Sequence, residues 1–141
     1  MTLDVVVAKL ATLAERLQMV RKHRLDSADA YVGNPEARDL VAFNLMLAVQ
    51  AASDLAAHVV ASEGLVPWQT IGNAFERVAQ HGVITAELAN QLRRAVGFRN
   101  VVAHGYTQLD LNSLHEASFR GAAQLEDFAR QTAAWAHRRY V

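Results

Sequence analysis

The sequence predicts an all-α fold, a helical bundle of four long helices and one short one. Three observations lead there. Apolar residues recur at three- and four-residue spacing along most of the chain. No stretch of strand length alternates polar with apolar residues. Helix-start and helix-stop residues stand where the periodicity breaks. With 141 residues the chain has the size of one domain, and a domain of about 150 residues buries roughly 70% of the surface its unfolded chain exposes. A single domain over residues 1–141 is expected, and the sequence has no internal repeat or low-complexity segment.

The first helix is carried by Leu3, Val6, Leu10, Leu13, Leu17 and Val20, with Lys9, Glu15, Arg16 and Arg21 between them, an amphipathic pattern of five or six turns. It should fray near residues 26–29, ahead of the turn signal Gly33, Asn34, Pro35. Pro35 suits the first turn of a second helix with Asn34 as its cap and Glu36 set against the helix dipole. That helix should run from Pro35 to Ser62 and stop at Gly64. Its apolar residues fall on two faces: Leu40, Phe43, Leu47 and Ala51 on one, Val41, Leu45, Ala48, Ala52, Leu55 and Val59 on the other. A helix apolar on both sides is expected at the centre, covered on each flank.

Pro67 precedes a short helix over residues 71–80, with Phe75 and Val78 inward and Gly82 at its end. Thr85 then caps a fourth helix, with Glu87 in its first turn and Leu88, Leu92 and Val96 inward. The last helix should begin near residues 110–113, where Ser113 and Glu116 have capping-box spacing. Leu111, Leu114, Ser118, Gly121, Leu125, Phe128, Thr132 and Trp135 follow every three or four residues, the small ones allowing close approach.

Composition narrows the chemistry. Fourteen basic and fourteen acidic residues cancel, so any anion must be met by a local patch rather than by the field of the whole molecule. The absence of cysteine excludes disulfides, thiolate zinc sites, iron–sulfur clusters and a cysteine nucleophile. The chain has no glycine-rich phosphate loop, no His-Glu-x-x-His and no Gly-x-Ser-x-Gly. His58 lies one turn after Asp54, a spacing that serves a metal or an intra-helix hydrogen bond near the core; the hydrogen bond is the simpler reading, since no second ligand pair accompanies it. No metal and no cofactor are expected. Asp4, Lys9, Glu15 and Arg16 break the apolar pattern of the N-terminal region, and Gln50, Asp54 and His58 interrupt residues 45–61. A soluble cytoplasmic protein without membrane contact is expected.

The chemistry concentrates in FRNVVAHGY, residues 98–106. Arg93, Arg94, Arg99 and His104 follow one another with no acid between, a local basic patch. Arg93 and Arg94 are explained by the dipole of a helix C-terminus. Arg99 and His104, set among Phe98, Val101 and Val102, are explained less well. Five positions apart, they are about 140° apart around a straight α-helix, so the helix should bend or end there. Gly105 permits an unusual backbone just after the histidine, from which the imidazole can fold back toward the guanidinium, with Asn100 to orient ring or substrate.

The run Arg99, Asn100, Val101, Val102, Ala103, His104, Gly105, Tyr106 resembles the Arg, four residues, His, any residue, Tyr motif of HEPN-domain ribonuclease toxins, in the HepT-like branch paired with MntA-type minimal nucleotidyltransferases. The resemblance covers nearly the whole chain. Residues 64–110, GLVPWQTIGNAFERVAQHGVITAELANQLRRAVGFRNVVAHGYTQLD, look like the family's region from the end of the second helix to the start of the last, and no motif residue is missing.

The resemblance implies a metal-independent endoribonuclease toxin of a toxin–antitoxin pair, acting on an RNA such as tRNA or mRNA. In that reading His104 shuttles protons for attack by the neighbouring 2′-hydroxyl, help typically worth about 10²–10⁴-fold. Arg99 neutralises the developing phosphorane, Asn100 hydrogen-bonds substrate or imidazole, and Arg93 and Arg94 are further RNA contacts. The family pairs two motifs across a homodimer cleft, which makes Phe98, Val101 and Val102 interface packing. It also makes Tyr106 the residue to which a nucleotidyltransferase antitoxin transfers AMP from ATP, placing negative charge and bulk beside Arg99 and His104. Asp54 on the central helix either orients Arg99 or His104 or forms a buried structural pair. The alternative to an enzyme is a non-catalytic helical adaptor that binds a minimal nucleotidyltransferase or a nucleotide through the same patch.

Overall fold

The structure, a computed structural model, describes residues 2–66 and 71–141, except the side chains of 71–73. Helix α1 spans Leu3–His23, α2 Pro35–Ser62, α3 Ile71–Gln80 and α4 Ala86–His104. The last helix is continuous in three parts: α5, Leu111–Glu116, a π turn over Ala117–Gly121, and α6, Ala122–Tyr140. Single 3₁₀ turns sit at Asp29–Tyr31 and Tyr106–Gln108. The four long helices and one short helix expected from the periodicity are therefore present, and no strand occurs among the described residues. Pro67 lies outside them.

Helix α2 is the central element, paired most extensively with α1 and packed also on α3, α4 and α6. Its length and composition would let it cross a membrane, yet Val41, Leu45, Ala48, Ala52, Leu55 and Val59 are all buried in this fold. They join Leu13 and Leu17 of α1, Leu88 and Leu92 of α4, and Leu125 and Phe128 of α6 in one core. Phe75 of α3 meets Phe128 edge-on, ring centres 5.6 Å apart, a favoured aromatic geometry.

The second apolar face of α2 departs from expectation. Phe43 is 51% exposed, and Leu40, Leu47 and Ala51 are only half-buried, because among the described residues only the end of α4 and the turn after it reach that side, at Leu40 and Phe43. The pattern recorded an apolar face correctly; it carried no information about whether the chain itself covers it.

Several caps also differ. Asn34 precedes α2 but makes no side-chain cap bond; its amide nitrogen instead donates to the Ala30 carbonyl at 2.8 Å. The last helix is capped by Asp110, which accepts from the Asn112 backbone N–H and the Ser113 hydroxyl, so Ser113 sits in the first turn and the Ser113–Glu116 capping box does not form. Thr85 does cap α4, accepting from the Leu88 N–H at 3.1 Å. Gly64 and Gly82 hold φ of 65° and 86°, the left-handed backbone that favours glycine after a helix.

Candidate functional site

Helix α4 delivers the motif. It runs unbroken through Arg99 and Asn100 to His104, and Gly105 ends it by donating its N–H to the Val101 carbonyl at 2.8 Å. Of the two expectations for this segment, a bend or an end, the helix takes the second: it stays helical through residues 101–104 and ends at Gly105. The turn follows at Tyr106–Gln108. Gly105 itself has φ of −144°, outside the left-handed region that favours glycine, so the turn does not require glycine there.

Arg99 and His104 are thus splayed about 140° apart on one straight helix, and the structure records no contact between them. The Arg99 guanidinium donates to Asn100 Oδ1 at 3.1 Å, while its buried Nε has no partner. His104 and Asn100 are exposed. Val101 is 38% exposed, and Phe98 and Val102 are half-buried against the core edge. The apolar frame is a surface, not an interior.

The basic patch is less basic in three dimensions than in one. Arg93 forms an ion pair with Glu76 of α3, and Arg94 lies 3.7 Å from Glu116 of α5, which also reaches Arg120 at 3.6 Å. Both arginines stand in mid-helix, so the dipole of the C-terminus does not account for them. The carboxylates come from elements distant in sequence, which spacing along α4 could not reveal. A cavity of about 350 Å³ opens beside this cluster, bordered by Arg94, Phe98, Val101, Asp110 and Arg120.

Asp54 and His58 are both exposed on α2, with no hydrogen bond between them. Neither the buried pair nor the contact to Arg99 or His104 is present in the single chain. Among the described residues no group of three or more His, Asp or Glu side chains is arranged to hold a metal ion.

The acid that does reach the motif is Asp39, in the second turn of α2. The Tyr106 hydroxyl donates to Asp39 Oδ1, whose carboxylate also accepts from Arg38 Nε at 3.0 Å. The Arg38 guanidinium lies 5.8 Å from the centre of the Tyr106 ring. Burial, then the Asp39 carboxylate, pushes the Tyr106 phenol above its usual range. The Tyr106 hydrogen bond, then Arg38, holds the Asp39 carboxyl below the ordinary carboxylate range. Asp39 and Tyr106, together with Pro35, Leu40, Phe43, Val102 and Ala103, line a groove of about 870 Å³. Sequence reasoning missed Arg38 and Asp39. Spacing gave no signal for them: Asp39 lies 15 positions before Asp54, about 22 Å nearer the start of α2 at about 1.5 Å per residue and about 60° around the helix from it.

Comparison with known proteins places the chain in a family. The mRNA nuclease HepT of Shewanella oneidensis is 28% identical over 109 residues, covering 77% of this chain and 81% of that protein. The tRNA nuclease HepT of Aphanizomenon flos-aquae is 26% identical over 127 residues, 90% of this chain and 86% of that protein. Among solved structures, the tri-AMPylated Shewanella oneidensis HEPN toxin in complex with MNT antitoxin superposes with a TM-score of 0.84 at 24% identity, covering 93% of this chain and 98% of that one. The family model described as ribonuclease HepT-like matches residues 13–132, and over that span, which holds the whole of α2, α4 and the motif, the chain belongs to the HepT-like family.

Proposed function

We propose that the chain is a metal-independent endoribonuclease toxin that works as a homodimer and is silenced when an MntA-type nucleotidyltransferase transfers AMP to Tyr106. The observation that carries the reading is the end of α4, where Arg99, Asn100, His104 and Tyr106 are gathered within two turns at the surface. An imidazole there exchanges protons near neutral pH. A guanidinium offers planar donors matched to phosphate oxygens. The names of the two HepT nucleases favour RNA, tRNA or mRNA, as the substrate, and the AMPylated toxin bound to its MNT antitoxin favours the partner and the modification.

The splay of the motif supports the homodimer. A single chain leaves Arg99 and His104 facing different ways, so a second copy, related by a twofold axis, is needed to bring a guanidinium opposite an imidazole. Arg93 and Arg94, each with an acid alongside, are exchangeable RNA contacts in this reading.

The test is cleavage of total tRNA and of an mRNA transcript by purified protein in EDTA. The wild type is expected to cut, and His104→Ala and Arg99→Ala are expected to fold with the wild-type melting temperature and not to cut. Cleavage by both variants overturns the catalytic assignment. A wild type without cleavage that still binds the nucleotidyltransferase stoichiometrically leaves the adaptor reading instead.

A further inference from the structure

The groove on α2 has a feature that the toxin reading does not use. The hydroxyl that would accept AMP already hydrogen-bonds a carboxylate. We propose that Asp39 guides Tyr106 in its modification, aiming the phenolic oxygen and taking its proton as the oxygen attacks. The proposal rests on the reading of Tyr106 as the acceptor and adds the residue that prepares it.

Tyr106 sits in a 3₁₀ turn just beyond α4, a short segment that by itself would let the ring take several rotamers. Two things fix it. Val102 and Phe43 line the groove around the ring, and Asp39, on the rigid second turn of α2, accepts from the hydroxyl. The oxygen is therefore held at a known place by an element outside its own loop, which is how a reacting atom is kept in attack geometry. Arg38 is hydrogen-bonded to the same carboxylate and lies beside the ring. Its guanidinium stands where negative charge gathers on an approaching α-phosphate.

The Tyr106 oxygen forms a bond to the α-phosphorus of ATP, the bond from that phosphorus to the pyrophosphate oxygen breaks, and pyrophosphate leaves. The phenolic proton passes to the Asp39 carboxylate and from there to water. Asp39 is a weak base toward a free phenol, since its own carboxyl is held low and the phenol is held high. The proton therefore moves only as the new bond makes the phenol acidic. Once AMP is attached, the oxygen has no proton to donate, and a phosphodiester anion stands beside Asp39 and Glu36, both of which line the groove. Like charges repel at this range, so the modified side chain leaves Asp39 while Arg38 remains as its counter-charge.

The experiment follows AMP addition to the intact chain by mass spectrometry, with saturating MntA-type nucleotidyltransferase and varied ATP. Asp39→Ala is expected to lower the maximal rate about a hundredfold, the lower end of the help that positioned proton transfer gives, with KM for ATP unchanged. Asp39→Glu is expected to recover part of the rate. Where Asp39→Ala melts early, Asp39→Asn keeps the shape without the charge and is expected to be slowed as well. Modification of Asp39→Ala or Asp39→Asn at the wild-type rate overturns the proposal, as does a loss confined to KM. A wild type that takes up no AMP, or a mass increase that persists in Tyr106→Phe, instead overturns the reading of Tyr106, so the two failures are told apart.

Discussion

Glu63, just past the end of α2, holds Arg139 near the C-terminus by two hydrogen bonds, Nε at 2.9 Å and a terminal guanidinium nitrogen at 3.3 Å. The same carboxylate meets His81 Nε2 at 3.3 Å from the turn between α3 and α4. The His81 ring lies beside Trp135, and Trp135 beside Tyr140. One carboxylate, 8% exposed, thus ties three distant parts of the chain together at the end of the bundle opposite Tyr106.

Replacing Glu63 with Gln should lower stability at pH 7 by about 1–2 kcal/mol, the range for charge-assisted bonds whose arginine partner can return to water. Arg139, then His81, holds the Glu63 carboxyl below its ordinary range in the folded state. Its contribution is therefore fully present above the unfolded pKa of about 4.3 and is lost as pH falls through the lower folded value. Urea unfolding between pH 3 and 7 should show wild type and Glu63→Gln converging toward the acid end. Parallel curves would show that the charge of Glu63 is not what stabilises this end.

The glycines should separate by backbone rather than by proximity to the motif. Gly105→Ala is expected to change stability by less than about 0.5 kcal/mol, since its φ is ordinary and an added Cβ would meet its nearest neighbour, the Val101 carbonyl oxygen, at 3.7 Å. Gly82→Ala has open space around it but a φ of 86°, and should cost about 1 kcal/mol or more. Thermal unfolding of the two variants side by side decides the matter.

Mixing two dead variants should restore cleavage. If each site takes Arg99 from one copy and His104 from the other, equal amounts of Arg99→Ala and His104→Ala chains, unfolded together and refolded, should give about a quarter of wild-type activity. Half the dimers are then mixed, each with one intact site of two. Activity at the level of either variant alone would place both residues in one chain's site.

What the sequence made legible was whatever rests on local pattern. The helices fell where apolar periodicity and terminators put them, Thr85 capped α4 as its spacing required, and Leu88, Leu92, Leu125 and Phe128 turned inward. What escaped was set by residues far apart in sequence. Glu76 and Glu116 neutralise Arg93 and Arg94, and Asp39 reaches Tyr106 across 67 positions. An apolar stripe at Phe43 reads the same whether this chain covers it or leaves it bare. The family resemblance points to an acid on the central helix and so to Asp54; that Asp39 is the one that meets Tyr106 depends on how the turn after α4 docks on α2, which spacing does not carry.

The π turn in the last helix sets how that helix tolerates changes of length. It holds one residue more than the α turn it replaces, and Arg24 donates to the Ser118 carbonyl there at 3.0 Å while lying over the Phe119 ring at 4.1 Å. Loss of one residue within Ala117–Gly121 would close the bulge into plain α-helix and leave Leu114 on one side and Leu125, Phe128 and Trp135 on the other still facing the core. The same loss a turn later would swing everything beyond it by about 100°, taking Trp135 away from His81. Relatives that differ by a single residue in this helix should therefore carry the difference at the bulge, where evolution can add or remove a residue without rephasing the fold.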